Sequence, residues 1–439
     1  MKPTSIKQKL LSAINSVSDN PRQYCHNPAV DFTRNRKISV ESLISGLIGM
    51  EAKTLANELV DLFNGEINFP TPSAFIQQRN KLKPEAFAEV FNTFNSNVQN
   101  YSDNELVTLA VDGSEIRIPD NPNDSLTRLP GASNAGPYNS LHLNALYDLN
   151  KHIYIAADIQ NGAHKNEHAS LQQMVDKSPI PKALVIADRG YESYNNMAHI
   201  QEKGWFFLIR IKDGKKNGIK MGFDLPTERE YDIPINLKLV RKQSKEIKEL
   251  CKDRNCYRFI PHTSPFDYLP MKSRKHDPEV FYELTFRIVR FELSEDSYET
   301  ILTNLDATEY PPELLKKLYA SRWGIETSFR NLKYTLGLLK FHSKKAVCIR
   351  QEIYAKLIMY NFVEMITSHV AITKKQRKYT YKVNFSTAAH ICRLFYLGKA
   401  SPPYLESVIA SSLIPIRPDR HSNRFAQLAS QYTFLYRVA

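Results

Sequence analysis

Four side chains with complementary chemistry recur along one stretch of this 439-residue chain. They are a phenol at Tyr319, a guanidinium at Arg322, a carboxylate at Glu326 and an ammonium at Lys333, spaced Y-x2-R-x3-E-x6-K. Pro311 and Pro312 suit a first helical turn and Gly337 suits a C-terminal cap, so the pattern predicts one long helix between them. At roughly 100° per residue the other three fall at about 300°, 340° and 320° from Tyr319, an arc of about 60°. Two cations beside one carboxylate on a face that would otherwise be apolar suit a docked polyanion, with the carboxylate holding a metal ion. The same residues would also serve as a solvated face laced with charge pairs.

Two more carboxylates stand in strand-like surroundings: Asp112 in LVTLAVDGSEIRI and Asp188 at the end of the apolar run in ALVIADRGYES. Either alone is an ordinary way to end a strand. Three carboxylates from separate elements are also what a two-metal phosphoryl-transfer site needs: oxygen ligands for divalent ions about 3.5–4 Å apart, one serving the attacking oxygen and one the leaving oxygen.

Together, and in this order, the helix spacing and the two aspartate motifs resemble the signature of DDE-type cut-and-paste transposases of the insertion-sequence type-four family. The resemblance covers about Leu106 to Lys345 well and the flanks loosely. It implies that Asp112, Asp188 and Glu326 are catalytic and hold two Mg2+ ions, for which Mn2+ substitutes. Tyr319, Arg322 and Lys333 would grip phosphates beside the scissile bond. The implied partners are double-stranded DNA, as transposon ends and target, and a second copy of the chain in a synaptic complex. The implied reaction is hydrolytic nicking, hairpin formation by the freed 3′ hydroxyl, hairpin opening and strand transfer. Some members stack a flipped base on a tryptophan within an insertion. Here Trp205 and Trp323 both fall outside the corresponding segment, which leaves Tyr298 as the candidate. A non-transposing Mg2+ nuclease of the same fold would not need Tyr319, Arg322 and Lys333, and a transposase-derived DNA-binding repressor would tolerate the loss of a carboxylate.

The elements that must position these groups can be read from periodicity. Residues 6–98 are helical in pattern, and Thr71-Pro72-Ser73 starts a helix running through AFIQQRNKL. That helix is expected to expose Gln77, Gln78, Arg79, Asn80 and Lys81 to base edges and phosphates, or simply to solvent. Residues 1–101 therefore read as an all-α DNA-binding domain. From Glu105 the chain turns to β-branched, alternating residues: a strand to Ile118, a Pro- and Gly-rich loop, two strands joined at 148–151, then helix, strand, helix, strand. This is an α/β pattern, and the resemblance makes it an RNase H-like mixed sheet over 102–345 with a β-rich insertion at about 214–294. Residues 346–439 read as mostly helical, with an amphipathic stretch from Gln351 to Ile372 suited to burial against a partner copy or against its own catalytic domain.

The balance of 59 Lys and Arg against 46 Asp and Glu gives a net charge of +13 and favours nucleic acid as a partner. The most apolar long stretch, Ile353 to Ile372, is interrupted by Lys356, Glu364 and His369, which argues for a buried helix over a membrane span. Met1 to Tyr24 has no continuous apolar core, so a cytoplasmic location is expected. Five cysteines without framework spacing read as reduced thiols, and Cys251, Cys256 and His262 lack a fourth ligand for zinc.

Overall fold

The structure, a computed structural model, describes residues 1–34, 36–63, 65, 69–131, 136–212, 218–271, 280–295, 297–370 and 381–416. The basic runs at 272–275, 374–378 and 417–424, and the last two residues of the 351–372 stretch, lie outside them.

Five helices come first: α1 (Pro3–Ser18), α2 (Val40–Gly49), α3 (Leu55–Leu62), α4 (Pro72–Arg79) and α5 (Glu85–Val98). Ser39, Thr54 and Thr71 cap α2, α3 and α4, each side-chain oxygen accepting from the backbone N–H three residues on. These caps satisfy donors that the first helical turn leaves unpaired. Strands β1 (Val107–Ile118), β2 (Arg128–Leu129), β3 (Tyr138–Asp148) and β4 (Ile153–Asn161) follow, then α6 (Glu167–Lys177), β5 (Ala183–Ala187), α7 (Tyr194–Glu202) and β6 (Phe206–Ile211). Next come β7 (Tyr231–Val240), α8 (Lys245–Leu250), β8 (Tyr257–Phe259), β9 (Tyr282–Ser294) and β10 (Ser297–Thr303). The chain ends its described part with α9 (Pro312–Ser321), α10 (Trp323–Arg330), α11 (Ala346–Thr367), β11 (Tyr381–Val383), α12 (Phe385–Tyr396), α13 (Pro402–Ser411) and β12 (Leu413–Pro415).

The α/β class expected from the sequence is present as one large mixed sheet. Its strands run β2-β3-β1-β5-β6-β10-β9-β7-β8, with β4 also paired to β3. β1, β3 and β4 are antiparallel neighbours, whereas β1, β5 and β6 run parallel, with α6 and α7 as the crossovers. The strands of 214–294 do not form a separate sheet: β9 pairs with β10, so they lengthen the central one.

Alternation along the strands divides the core in two. Leu109, Val111, Val185 and Ala187 pack on the face that carries α6 and α7. Ala110, Leu184, Ile186 and Leu208 face a second core, built with the N-terminal helices and α11. There α11 is buried almost all round, including Ile353, Leu357, Tyr360 and Val363. Of the two placements open for this stretch, against a partner copy or within its own chain, its apolar side chains take the second.

The exposed face expected of α4 is corrected. Gln77 is exposed and Lys81 half-buried, but Gln78 and Arg79 are buried, Arg79 to 1% exposure. Arg79 Nη1 lies 2.8 Å from Glu352 Oε1, Nε donates to Gln351 Oε1 at 2.8 Å, and Nη2 donates to the Cys348 carbonyl. A guanidinium so enclosed is committed to α11 and cannot reach DNA. Burial alone would raise the Glu352 carboxyl, but Arg79 and His342 hold it down at about 2. This contribution to stability is complete above the usual glutamate range and fades as pH falls toward 2. Arg79→Ala, which strands a buried carboxylate, is expected to cost about 3–5 kcal/mol in urea unfolding, and Arg79→Met with Glu352→Leu to regain most of it. An unfolding midpoint for Arg79→Ala equal to wild type would refute the strut.

Candidate active site

The β1–β5 register places the first two carboxylates. Ala110 pairs with Ile186 across these parallel strands, and two residues further along each stand Asp112 and Asp188. Side chains two apart share a face and neighbouring strands lie about 4.8 Å apart, so the aspartates come side by side where the β1–β5 pairing ends, Asp112 in the middle of β1 and Asp188 just past the end of β5. Asp188 accepts from the Gly190 N–H at 2.8 Å, which opens the tight turn after β5. Asp112 accepts from the Gly113 N–H at 2.8 Å.

Glu326 arrives from the opposite side on α10. The single long helix expected over 311–337 is instead three segments: α9 ends at Ser321, Arg322 forms the joint, and α10 passes into a π-turn at Asn331–Thr335. At the joint the bonds tighten to i,i+3, from Arg322 N to Tyr319 O and from Ile325 N to Arg322 O. Gly324 allows α10 to close on the sheet, since a Cβ there would sit 2.8 Å from Leu149. Gly337 ends the run with φ +72°, as its capping position requires.

The joint aims Arg322 between the carboxylates. Its Nη2 donates to Glu326 Oε1 at 2.6 Å while Nη1 stands 3.7 Å from Asp112 Oδ2. Tyr319 is buried under it, the ring centroid 6.0 Å from the guanidinium carbon. Lys333 is half-buried and donates to the Glu115 carbonyl of β1 at 3.1 Å, and burial pulls its ammonium down. The structure thus gathers Asp112, Asp188, Arg322, Glu326 and Lys333 around the middle of β1. The Tyr298 ring lies under Arg290, with the guanidinium carbon 4.4 Å from its centroid.

Sequence reading missed the layer behind the aspartates. A Cβ on Gly113 would overlap His142 Nε2 and lie 3.3 Å from Asn144 Oδ1. His142 stands 2.9 Å from Glu167 Oε1, and this bond holds the Glu167 carboxyl down at about 2. Tyr191, fully buried, is pushed up by burial and by the charges of Glu167, Asp112 and Asp188. The signal was available: SLHLNALYD places His142 and Asn144 two apart on one face of an otherwise apolar strand.

Burial pushes the Asp112 carboxyl up to about 6; Gly113 and Arg322 pull it down, and Asp188 and Glu326 push it further up. Among the described residues no three His, Cys, Asp or Glu side chains are posed to hold a metal ion, and Arg322 occupies the space where Asp112 and Glu326 would meet one.

Residues 103–362 match the family described as the transposase DDE domain. The chain belongs to that family. It is a DDE transposase of the insertion-sequence type-four kind, an enzyme of DNA cleavage and strand transfer. Transposase InsG for insertion sequence element IS4 of Escherichia coli (strain K12) is 27% identical over 347 residues, covering 75% of this chain and 70% of that protein. Among solved structures, the cryo-EM structure of the piggyBac transposase synaptic complex with hairpin DNA superposes with a TM-score of 0.47 at 10% identity, covering 96% of this chain and 88% of that one.

In this transposase the raised Asp112 carboxyl has a stability consequence. The folded protein holds that proton more tightly than the unfolded chain does, so stability falls as pH rises from about 4 through about 6. Asp112→Asn removes the burden. In EDTA at pH 7 it is expected to melt at or above the wild-type temperature, by up to about 3 kcal/mol, with the gap closing at pH 4. A variant melting well below wild type at pH 7 would contradict this reading.

Proposed function

We propose that this transposase binds the inverted repeats at the ends of its element, cleaves them by metal-assisted phosphoryl transfer through a hairpin, and joins them to target DNA. The observation that carries the reading is the in-register pair Asp112 and Asp188 facing Glu326 across Arg322. An RNase H-like identity for the sheet goes with it, supported by the order β4-β3-β1-β5-β6 and the α6 and α7 crossovers.

The donor set suits a hard divalent cation. Three carboxylates supply oxygen ligands, and Asp112 is a partly desolvated carboxyl raised by its acidic neighbours, a burden that a cation relieves. Asp112, Asp188 and Glu326 would hold two Mg2+ ions, with Mn2+ able to replace them. When bound, the metals supply Lewis-acid activation of the attacking oxygen and stabilise the leaving one. Arg322 offers a bidentate fork to a phosphate, and Lys333, fixed against β1, a point charge. A phosphate at this position draws the guanidinium off Glu326 and frees that carboxylate to bind metal. Tyr319 supports Arg322 from beneath. With Arg79 spent on α11, the groups left to meet DNA here are Gln77 on α4 and the half-buried Lys81 just after it. Two copies acting on two ends belong to the same reading, with a contact surface other than α11.

Asp112→Ala, Asp188→Ala and Glu326→Ala should each abolish divalent-ion-dependent nicking of a duplex carrying the element's terminal repeat, while gel-shift affinity for that duplex stays within about threefold. Near-normal cleavage by any one of them removes that residue from the site.

A further inference from the structure

A cavity lies at the far end of the signature segment, lined by Tyr334 to Gly337. It has a volume of about 350 Å³ and is walled by the α2–α3 loop, the π-turn after α10, α11 and α12. Four cationic side chains line it, Lys53, Lys340, Lys356 and Arg393, against one carboxylate, Glu51. Three of the cations are held by the wall. Arg393 Nε sits 2.7 Å from Glu51 Oε1, Lys53 pairs with Asp61, and the buried Lys356 ammonium donates to the Met50 and Glu51 carbonyls. Lys340 has no side-chain ion pair or hydrogen bond among the described residues. On the rim stands Tyr334, 68% exposed and directly after Lys333.

An exposed ring is a poor fit to duplex DNA, whose bases are already stacked on each other and whose outer surface is sugar and phosphate. It is a good fit to an unpaired base, and a cationic groove beside it suits the phosphates of the same strand. The size is that of a small ligand site. Tyr334 follows Glu326 by eight residues, through α10 and into the π-turn, so the carboxylate site and the cavity are served by one segment. We infer that this cavity receives unpaired nucleotides of the DNA strand that leaves the carboxylate site, with Tyr334 stacking on a base and Lys340 meeting a phosphate. The π-turn turns Tyr334 outward while Lys333 stays against β1, so one segment serves both strand and scissile site.

This inference rests on the DNA-binding reading, and its test separates the two. The probes are a blunt duplex of about 30 base pairs and the same duplex with an unpaired 3′ tail of about four thymidines, compared by fluorescence anisotropy in EDTA. Wild type should bind the tailed probe at least roughly fivefold more tightly than the blunt one. Tyr334→Ala should lose that preference and keep its affinity for the blunt duplex. Tyr334→Phe should retain the preference, because the ring and not the hydroxyl does the stacking, and Lys340→Ala should reduce it. Tyr334→Ala is expected to melt with wild type, since the ring it removes is exposed. Equal affinity of wild type for both probes, or an undiminished preference in Tyr334→Ala, overturns the inference and leaves the DNA reading standing. Failure of wild type to bind either probe overturns both.

Discussion

Carboxylates gathered in one partly desolvated place repel each other, and the fold around Asp112 is arranged to hold that repulsion. Two of the three come from neighbouring parallel strands whose register cannot slip without turning a whole face of the sheet the wrong way. The third comes from a helix whose approach depends on Gly324. Arg322 offsets part of that repulsion from within, between Asp112 and Glu326. Its place at the joint between α9 and α10 follows from the same demand, because the break turns the guanidinium inward beside Glu326, while the buried Tyr319 ring fills the space beneath it.

Support for this arrangement comes from α11. It carries a buried polar system in which Arg79 from α4 and His342 from the segment after Gly337 meet on Glu352. Further along, Asn361 receives the Tyr154 N–H and donates to the Tyr154 carbonyl and to Asn95 of α5. Each bond ties a different element to one helix: α4, the end of the signature segment, β4 and α5. Polar groups this deep tolerate only geometries that satisfy them, so they fix the angle at which the helical layer meets the sheet.

The strands were legible because their residues announce themselves: the apolar run ALVIA at 183–187 is β5, and the β-rich stretch expected at about 214–294 contains β7 and β9. The family motifs picked out Asp112, Asp188 and Glu326 from separate elements, and the structure brings these three near one another. The joint at Arg322 was not, since a break caused by what the helix packs against leaves no trace in helical propensity. Arg79 misled for a related reason. A buried arginine and a DNA-reading arginine look alike in a polar helix, and the difference lies in a partner 272 residues away at Gln351. His142 and Asn144 carried no motif of their own, and only the fold shows that both are buried behind Gly113.

The closure of α11 over the N-terminal helices also sets an order of events during synthesis. Arg79, Asn95 and the apolar sides of α1, α2 and α5 leave the ribosome long before the helix that covers them exists. At about 5–20 residues per second, roughly 15–50 s pass between Arg79 and Gln351. Throughout that interval the nascent chain carries an unpaired guanidinium and an uncovered apolar layer, which only its own later segment can close.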